Sequence, residues 1–197
     1  MKRLLETIFI NEGIPQNIIY HNQRFNRSRR NFWPGKESID LYEILKIPFE
    51  FQRGLVRCRI LYRNEIEEIQ FLSYSKKNIE SLKLIETDLD YSYKFEDRTE
   101  INQLLLQKEN CDDILMIKNG YITDTSYANI VLNADNQLFT PKIPLLLGTK
   151  RQKLIDQNKM IPIDIKVTDL TKYSHFALIN AFIDLHESNF QPISNIK

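Results

Sequence analysis

The chain is poor in the residues from which several common protein machines are built. Two cysteines, Cys58 and Cys111, among 197 residues are too few for a disulfide-stapled secreted fold and lack metal-ligand spacing. The five glycines (Gly13, Gly35, Gly54, Gly120, Gly148) stand far apart, so neither a dinucleotide-binding Gly-x-Gly-x-x-Gly turn nor a phosphate-cradling P-loop can be written. His21, His175 and His186 form no HExxH-like pair, and no serine lies in a Gly-x-Ser-x-Gly elbow. The usual signatures of zinc hydrolases and α/β-hydrolases are therefore missing. No apolar run approaches the roughly 20 residues that span a bilayer, and Glu6 comes too early for a signal peptide's apolar stretch. An excess of one charge is missing too: 27 Lys+Arg face 26 Asp+Glu, a net charge of +1. Broad attraction to nucleic acid or an acidic membrane is not expected. These absences predict a cytoplasmic protein that uses no metal and inserts in no membrane.

What is present reads as an ordinary globular chain of 23.5 kDa, 42% hydrophobic and 27% charged. Leu4–Ile10 reads as a strand ending in a turn near Gly13, with Gln16–Tyr20 as its hairpin partner. His21–Trp33 reads as a helix stopped by Pro34-Gly35, and a second helix is expected from a Ser38 cap to about Lys46. Leu55–Tyr62 and Ile66–Tyr74 form a further hairpin pattern. The polar stretch Ser75-Lys76-Lys77-Asn78 marks a boundary between a small lobe (1–78) and a larger one (79–197). In the second lobe, strands are expected at Leu82–Thr87, Ile114–Lys118, Tyr121–Thr123, Asn129–Leu132, Gln137–Thr140, Ile163–Val167 and Phe176–Asn180. Asn119-Gly120 supplies a strong hairpin turn. Helices are expected at Arg98–Lys108 and Lys150–Asn158.

Several stretches, in order, carry a family likeness. They are Leu5-Glu6-Thr7-Ile8, Tyr20-His21-Asn22-Gln23-Arg24, Lys94-Phe95-Glu96-Asp97-Arg98, the segment Gly120 to Ile130, Thr140-Pro141, Pro144 to Arg151, and Ile179-Asn180-Ala181. Together they resemble the fold-type IV pyridoxal-phosphate (PLP) enzymes, the family of branched-chain and D-amino-acid transaminases and aminodeoxychorismate lyase. The resemblance implies an α+β, two-lobed fold, with a small N-terminal α/β lobe and a larger lobe of mainly antiparallel strands with helices. It implies pyridoxal 5′-phosphate as cofactor, a small-molecule substrate and a homodimer. Leu4 to Thr7 matches a stretch that is normally internal, so the small lobe is expected to lack the family's usual first strand.

The resemblance assigns roles that each residue type can perform. Lys94 matches the lysine that holds the cofactor aldehyde as a Schiff base and carries protons, a task suited to an amine whose pKa is lowered by burial and nearby cations. Outside this motif it would be one more solvated surface lysine. Asp124 matches the carboxylate that keeps the pyridine nitrogen protonated. Family members usually carry glutamate there, so one missing methylene must be made up by a shift of ring or backbone, or by a water. Arg24 and the amides of Thr149 and Lys150 match the phosphate cup at a helix N-terminus. Thr7 aligns with a threonine near the reacting centre of lyase-like members, and Asn180-Ala181 looks more like the lyase segment than the transaminase one.

The implied activity is a lyase that converts 4-amino-4-deoxychorismate to 4-aminobenzoate and pyruvate. The alternative is a transaminase of branched-chain or D-amino acids. A reading from another class is a nucleic-acid-binding module built on Arg24, Arg27, Arg29 and Arg30 with Phe25, Phe32 and Trp33; the near-zero net charge opposes it. His21 and Asn129 read as bracing residues, and Cys58 as core.

Overall fold

The strand Leu4–Asn11 (β1) alternates, so that Leu4, Glu6, Ile8 and Ile10 are buried on one face. A helix that follows, Ile18–Phe32 (α1), buries His21, Arg24, Phe25 and Ser28, spaced three, four and seven apart as one helical stripe. These faces belong to a computed structural model that describes residues 3–75 and 78–197. Contacts divide the chain into two units. The first is residues 3–75 together with Tyr93–Asp97, and the second is residues 78–92 together with 98–197. Residues 93–97 thus belong with the first unit although they follow the polar stretch at 75–78. The backbone shows why: Leu5 N donates to Lys94 O at 2.8 Å, Glu96 N to Arg3 O at 3.0 Å, and Leu4 bridges Phe95.

In the first unit the described residues form a four-stranded sheet in the order β2-β1-β3-β4, where β2 is Ile14–Pro15, β3 Leu55–Tyr62 and β4 Ile66–Ser73. The expected hairpin partner at Gln16–Tyr20 is corrected to two paired residues. Asn17 turns the chain with φ 54° and α1 starts at once, drawn by the stripe that packs on β1. The second expected helix shrinks to Leu41–Ile44 (α2), capped by Asp40, whose carboxylate accepts from Tyr42 N at 2.8 Å, rather than by Ser38. The core of this unit gathers Leu4, Ile8, Ile10, Phe25, Val56, Cys58, Ile60 and Tyr62. Phe25 and Tyr62 meet with ring centroids 4.4 Å apart. Burial pushes the Cys58 thiol up to about 12, so it acts as a small apolar side chain.

The second unit is built on a sheet in the order β10-β9-β8-β7-β6-β5, with β11 and β12 joined through β8. Its strands are β5 Leu82–Glu86, β6 Asp113–Lys118, β7 Tyr121–Thr125, β8 Asn129–Ala134, β9 Gln137–Pro141, β10 Ile161–Ile163, β11 His175–Ile179 and β12 Gln191–Pro192. Most neighbours are antiparallel; β5–β6 and β9–β10 are parallel. Asn119 and Gly120 take φ 53° and 78°, the two positive values that a tight hairpin turn requires. The expected strand near Ile163–Val167 begins earlier, at Ile161, and ends at Ile163. Helices are Thr99–Leu105 (α3) and Thr149–Asp156 (α4). The architecture is α+β, with mainly antiparallel strands in the second unit.

Candidate active site

In the second unit, four elements bring their ends together around one carboxylate. Asp124 lies on β7 opposite Asn129 on β8, and Asn129 in turn lies opposite Ile179 at the end of β11. Asp124 is buried, and both its oxygens are held: Asn129 Nδ2 donates to Oδ1 at 2.6 Å and Leu146 N to Oδ2 at 2.8 Å. Asn129 Nδ2 also donates to Leu146 O at 2.9 Å, tying the strand to the loop that enters α4. A β-carbon on residue 148 would fall inside the envelope of Asn129 Oδ1. Glycine is needed there for space, since its φ of −70° is open to any residue. Thr149, Lys150 and Arg151 then form a buried first turn of α4 on which no side chain caps the helix.

Burial raises the Asp124 carboxyl to about 6, a shift that the Leu146 amide, Asn129 and the Arg151 charge only partly offset. The groups bonded directly to it are neutral, so the arrangement favours a cation that would share the carboxylate's remaining lone pairs. Asn180 stands just beyond the Ile179–Asn129 pair. Its Oδ1 accepts from Phe182 N at 2.8 Å and Ile183 N at 3.0 Å, which locks Ala181 into a side-chain-closed turn. Lys150 Nζ reaches Asp184 Oδ2 at 3.0 Å and ties α4 to the same loop. The structure therefore brings Asp124, Thr149, Lys150, Asn180 and Ala181 to one end of one unit.

Lys94, Arg24 and Thr7 lie in the first unit. Arg24 is buried and meets Glu6 side-on, Nε to Oε1 at 2.8 Å and Nη2 to Oε2 at 2.7 Å, while His21 Nδ1 stands 2.7 Å from Glu6 Oε2. Burial would raise the Glu6 carboxyl, but Arg24 and His21 outweigh it and hold it down at about 2. Burial lowers His21, helped by the charges of Arg24 and Lys94 and opposed by Glu6. Glu6 received no role from sequence. Its place in the β1 alternation, in line with Leu4, Ile8 and Ile10, is the signal that marks it as a charge facing the core. Arg29 is buried as well and donates to Asn64 O at 3.0 Å and Glu37 O at 2.7 Å. With Arg24 and Arg29 buried, α1 does not present the four-arginine face that the nucleic-acid reading needs.

The group the likeness implies, PLP, wants an amine, an anion for its ring nitrogen and a cradle for its phosphate. A half-buried lysine, a buried carboxylate short of a cation and an uncapped helix start are the donor types that fit. Among the described residues no cluster of three His, Cys, Asp or Glu could hold a metal, and no helix is long and apolar enough to cross a membrane.

Comparison with known proteins agrees with this chemistry, and the chain belongs to the class IV amino-transferase family, whose pattern matches residues 101–194. An uncharacterised protein of Haemophilus influenzae is 37% identical over 185 residues, 92% of this chain and 98% of its own. The crystal structure of a provisionally assigned 4-amino-4-deoxychorismate lyase from Haemophilus somnus is 41% identical, with a TM-score of 0.88, covering 94% of this chain and 98% of that one. A hypothetical aminotransferase from Mycobacterium tuberculosis in its PLP-bound form shares the fold, with a TM-score of 0.77 at 16% identity over 99% of this chain and 81% of its own.

Proposed function

We propose that the protein is a PLP-dependent lyase that converts 4-amino-4-deoxychorismate to 4-aminobenzoate and pyruvate, in the cytoplasm and as a homodimer. The observation that carries the cofactor reading is the Asp124 clamp: a buried carboxylate, raised by burial and held in place by neutral donors beside an uncapped helix start. The choice of reaction leans on the likeness to the Haemophilus somnus protein and on the Asn180-Ala181 turn.

In this reading Lys94 holds the cofactor covalently, Asp124 keeps its ring nitrogen protonated, and the first-turn amides of Thr149 and Lys150 take the phosphate together with Arg24. When bound, the cofactor supplies a sink for the electron pair left on carbon when a proton departs. The Lys94 amine, once released from the cofactor, would serve as general base for the proton on the carbon that bears the substrate's 4-amino group. Breaking the ether bond releases the enolpyruvyl group, which leaves as pyruvate, and the ring becomes aromatic, which makes the step strongly downhill. A transaminase would use the same lysine to return the proton at a different carbon and release a keto acid, so the class alone does not select between them.

Pyruvate release from aminodeoxychorismate, measured against keto-acid formation from a panel of L- and D-amino acids, tests the reaction. Pyruvate with stoichiometric 4-aminobenzoate is expected; keto acid from an amino acid selects the transaminase. Lys94→Ala is expected to abolish the yellow, borohydride-sensitive absorbance of the holoprotein. Normal turnover in that variant would remove Lys94 from the role.

A further inference from the structure

Tyr93–Asp97 sit in the first unit, while the chain on either side of them, residues 78–92 and 98–197, belongs to the second. Their backbone joins the first unit beside β1 through one antiparallel bridge, Leu4 with Phe95. The bonds from Leu5 N to Lys94 O at 2.8 Å and from Glu96 N to Arg3 O at 3.0 Å flank it. In that register Leu5 lies opposite Lys94, and Arg3 lies opposite Glu96. A pairing this short is marginal by itself, so side chains must supply much of the hold on residue 94.

They do so on both faces. Toward the core, Tyr93 and Phe95 both pack on Phe32 of α1, with ring centroids 4.7 and 6.2 Å from it. Phe95 N donates to Tyr93 O at 3.0 Å, an i to i+2 bond that bends the chain tightly with Lys94 at the apex. The two-residue period then puts Lys94 on the face away from those rings, together with Arg3 and Glu96. There Arg3 Nε donates to Glu96 Oε2 at 2.6 Å and Nη2 to Oε1 at 2.8 Å. Glu67 on β4 stands 3.9 Å from Arg3 Nη1 and steadies the same guanidinium. The fork lies two residues along from the Leu5–Lys94 pair, about 7 Å of extended chain. Its side chains are 34% and 30% exposed, so water screens the charge and the pair adds little to overall stability. What two parallel bonds add is direction, which a single charge contact does not fix.

We propose that Arg3 and Glu96 are positioning residues for Lys94: their fork fixes the bend at 93–95 and with it the direction in which the amine is presented. This inference rests on the reading of Lys94 as the residue that holds the cofactor covalently. It separates two properties of the site. Covalent attachment and proton transfer depend on where the amine points, whereas holding the phosphate and ring does not use the amine.

The test compares PLP with pyridoxamine 5′-phosphate on the full-length protein. The second compound has the same ring and phosphate but an amine in place of the aldehyde, so it makes no covalent link to lysine. Arg3→Met and Glu96→Gln are each expected to weaken PLP binding about tenfold, and to lower kcat about 10- to 100-fold at nearly constant KM. Binding of pyridoxamine phosphate should be unchanged. Arg3→Lys keeps the charge but loses the fork, so it should lie between the wild type and Arg3→Met. The swapped double variant, Arg3→Glu with Glu96→Arg, should recover much of the loss, and it carries the test should a single variant fail to fold. A wild type that never becomes yellow with PLP overturns the reading of Lys94, and this inference with it. With a yellow wild type, three outcomes overturn this inference alone: both compounds weakened alike, neither weakened, or a swapped pair no better than the single variants.

Discussion

The Asn129 amide helps to set the charge of Asp124, after burial and the Leu146 N–H. Asn129 gives one of the carboxylate's two close hydrogen bonds, at 2.6 Å, in a site where burial already lifts the carboxyl to about 6. Removing that donor takes away a contact that favours the ionised form, so the pKa climbs further and more of the carboxyl is protonated near neutrality. A protonated Asp124 cannot hold a ring cation. Asn129→Ala is therefore expected to weaken PLP binding about tenfold near pH 7 and to regain most of the loss in alkaline buffer. The isosteric Asn129→Asp, which sets carboxylate against carboxylate, should shift the profile further in the same direction. Cofactor titrations across pH check both, and a pH-independent loss would assign Asn129 to packing alone. Asn129 could be read from sequence as a brace. That it braces by bridging Asp124 and the Leu146 carbonyl could not, because Leu146 is 17 residues away in a loop with no pattern of its own.

The turn into α4 is an element built around that amide. Because a β-carbon at 148 would overlap Asn129 Oδ1, Gly148→Ala must push the Asn129 side chain off Asp124 or move the helix start. We expect a loss of about 1 to 3 kcal/mol in stability, with PLP affinity falling in parallel, measured by urea unfolding and cofactor titration. Asn129→Ala should relieve much of the steric cost, so the double variant should be less destabilised than the sum of the two. At Gly148 φ shows that space and not backbone freedom requires glycine. Elsewhere the elements were legible wherever period or turn chemistry was strong. The β3–β4 hairpin and the Asn119-Gly120 turn are examples, and both match within a residue or so. Legibility failed at Gln16–Tyr20, where apolar residues suited either a strand or the first turn of a helix. It was the packing of His21, Arg24 and Phe25 against β1 that selected the helix.

Across the whole molecule the buried carboxylates Glu6 and Asp124, which belong to different units, shift in opposite directions; Asp113, buried in the second unit and also raised by burial, shifts with Asp124, and stability should record both directions. Glu6 sits below its ordinary 4.5, at about 2, so the native state favours its ionised form; that contribution is full above about pH 4.5 and is lost as pH falls toward 2. Asp124 sits above its ordinary 3.8, at about 6, so the native cofactor-free protein binds a proton that the unfolded chain releases, and stability falls as pH rises from about 4 to 6. Glu6→Gln leaves buried Arg24 without its counter-charge and should cost about 3 to 5 kcal/mol at neutral pH, while erasing the acid limb. Asp124→Asn should reduce the slope between about pH 4 and 6, leaving the part that the raised Asp113 contributes. Urea unfolding of the cofactor-free protein across that range measures the two limbs separately, because each variant removes only its own. Adding the cofactor reverses the second limb if Asp124 is the partner of a ring cation. A cation favours the ionised carboxylate, so PLP affinity should rise with pH through about 6 in the wild type, and that rise should be missing in Asp124→Asn. An affinity with the same pH dependence in both proteins would place the ring nitrogen somewhere other than against Asp124.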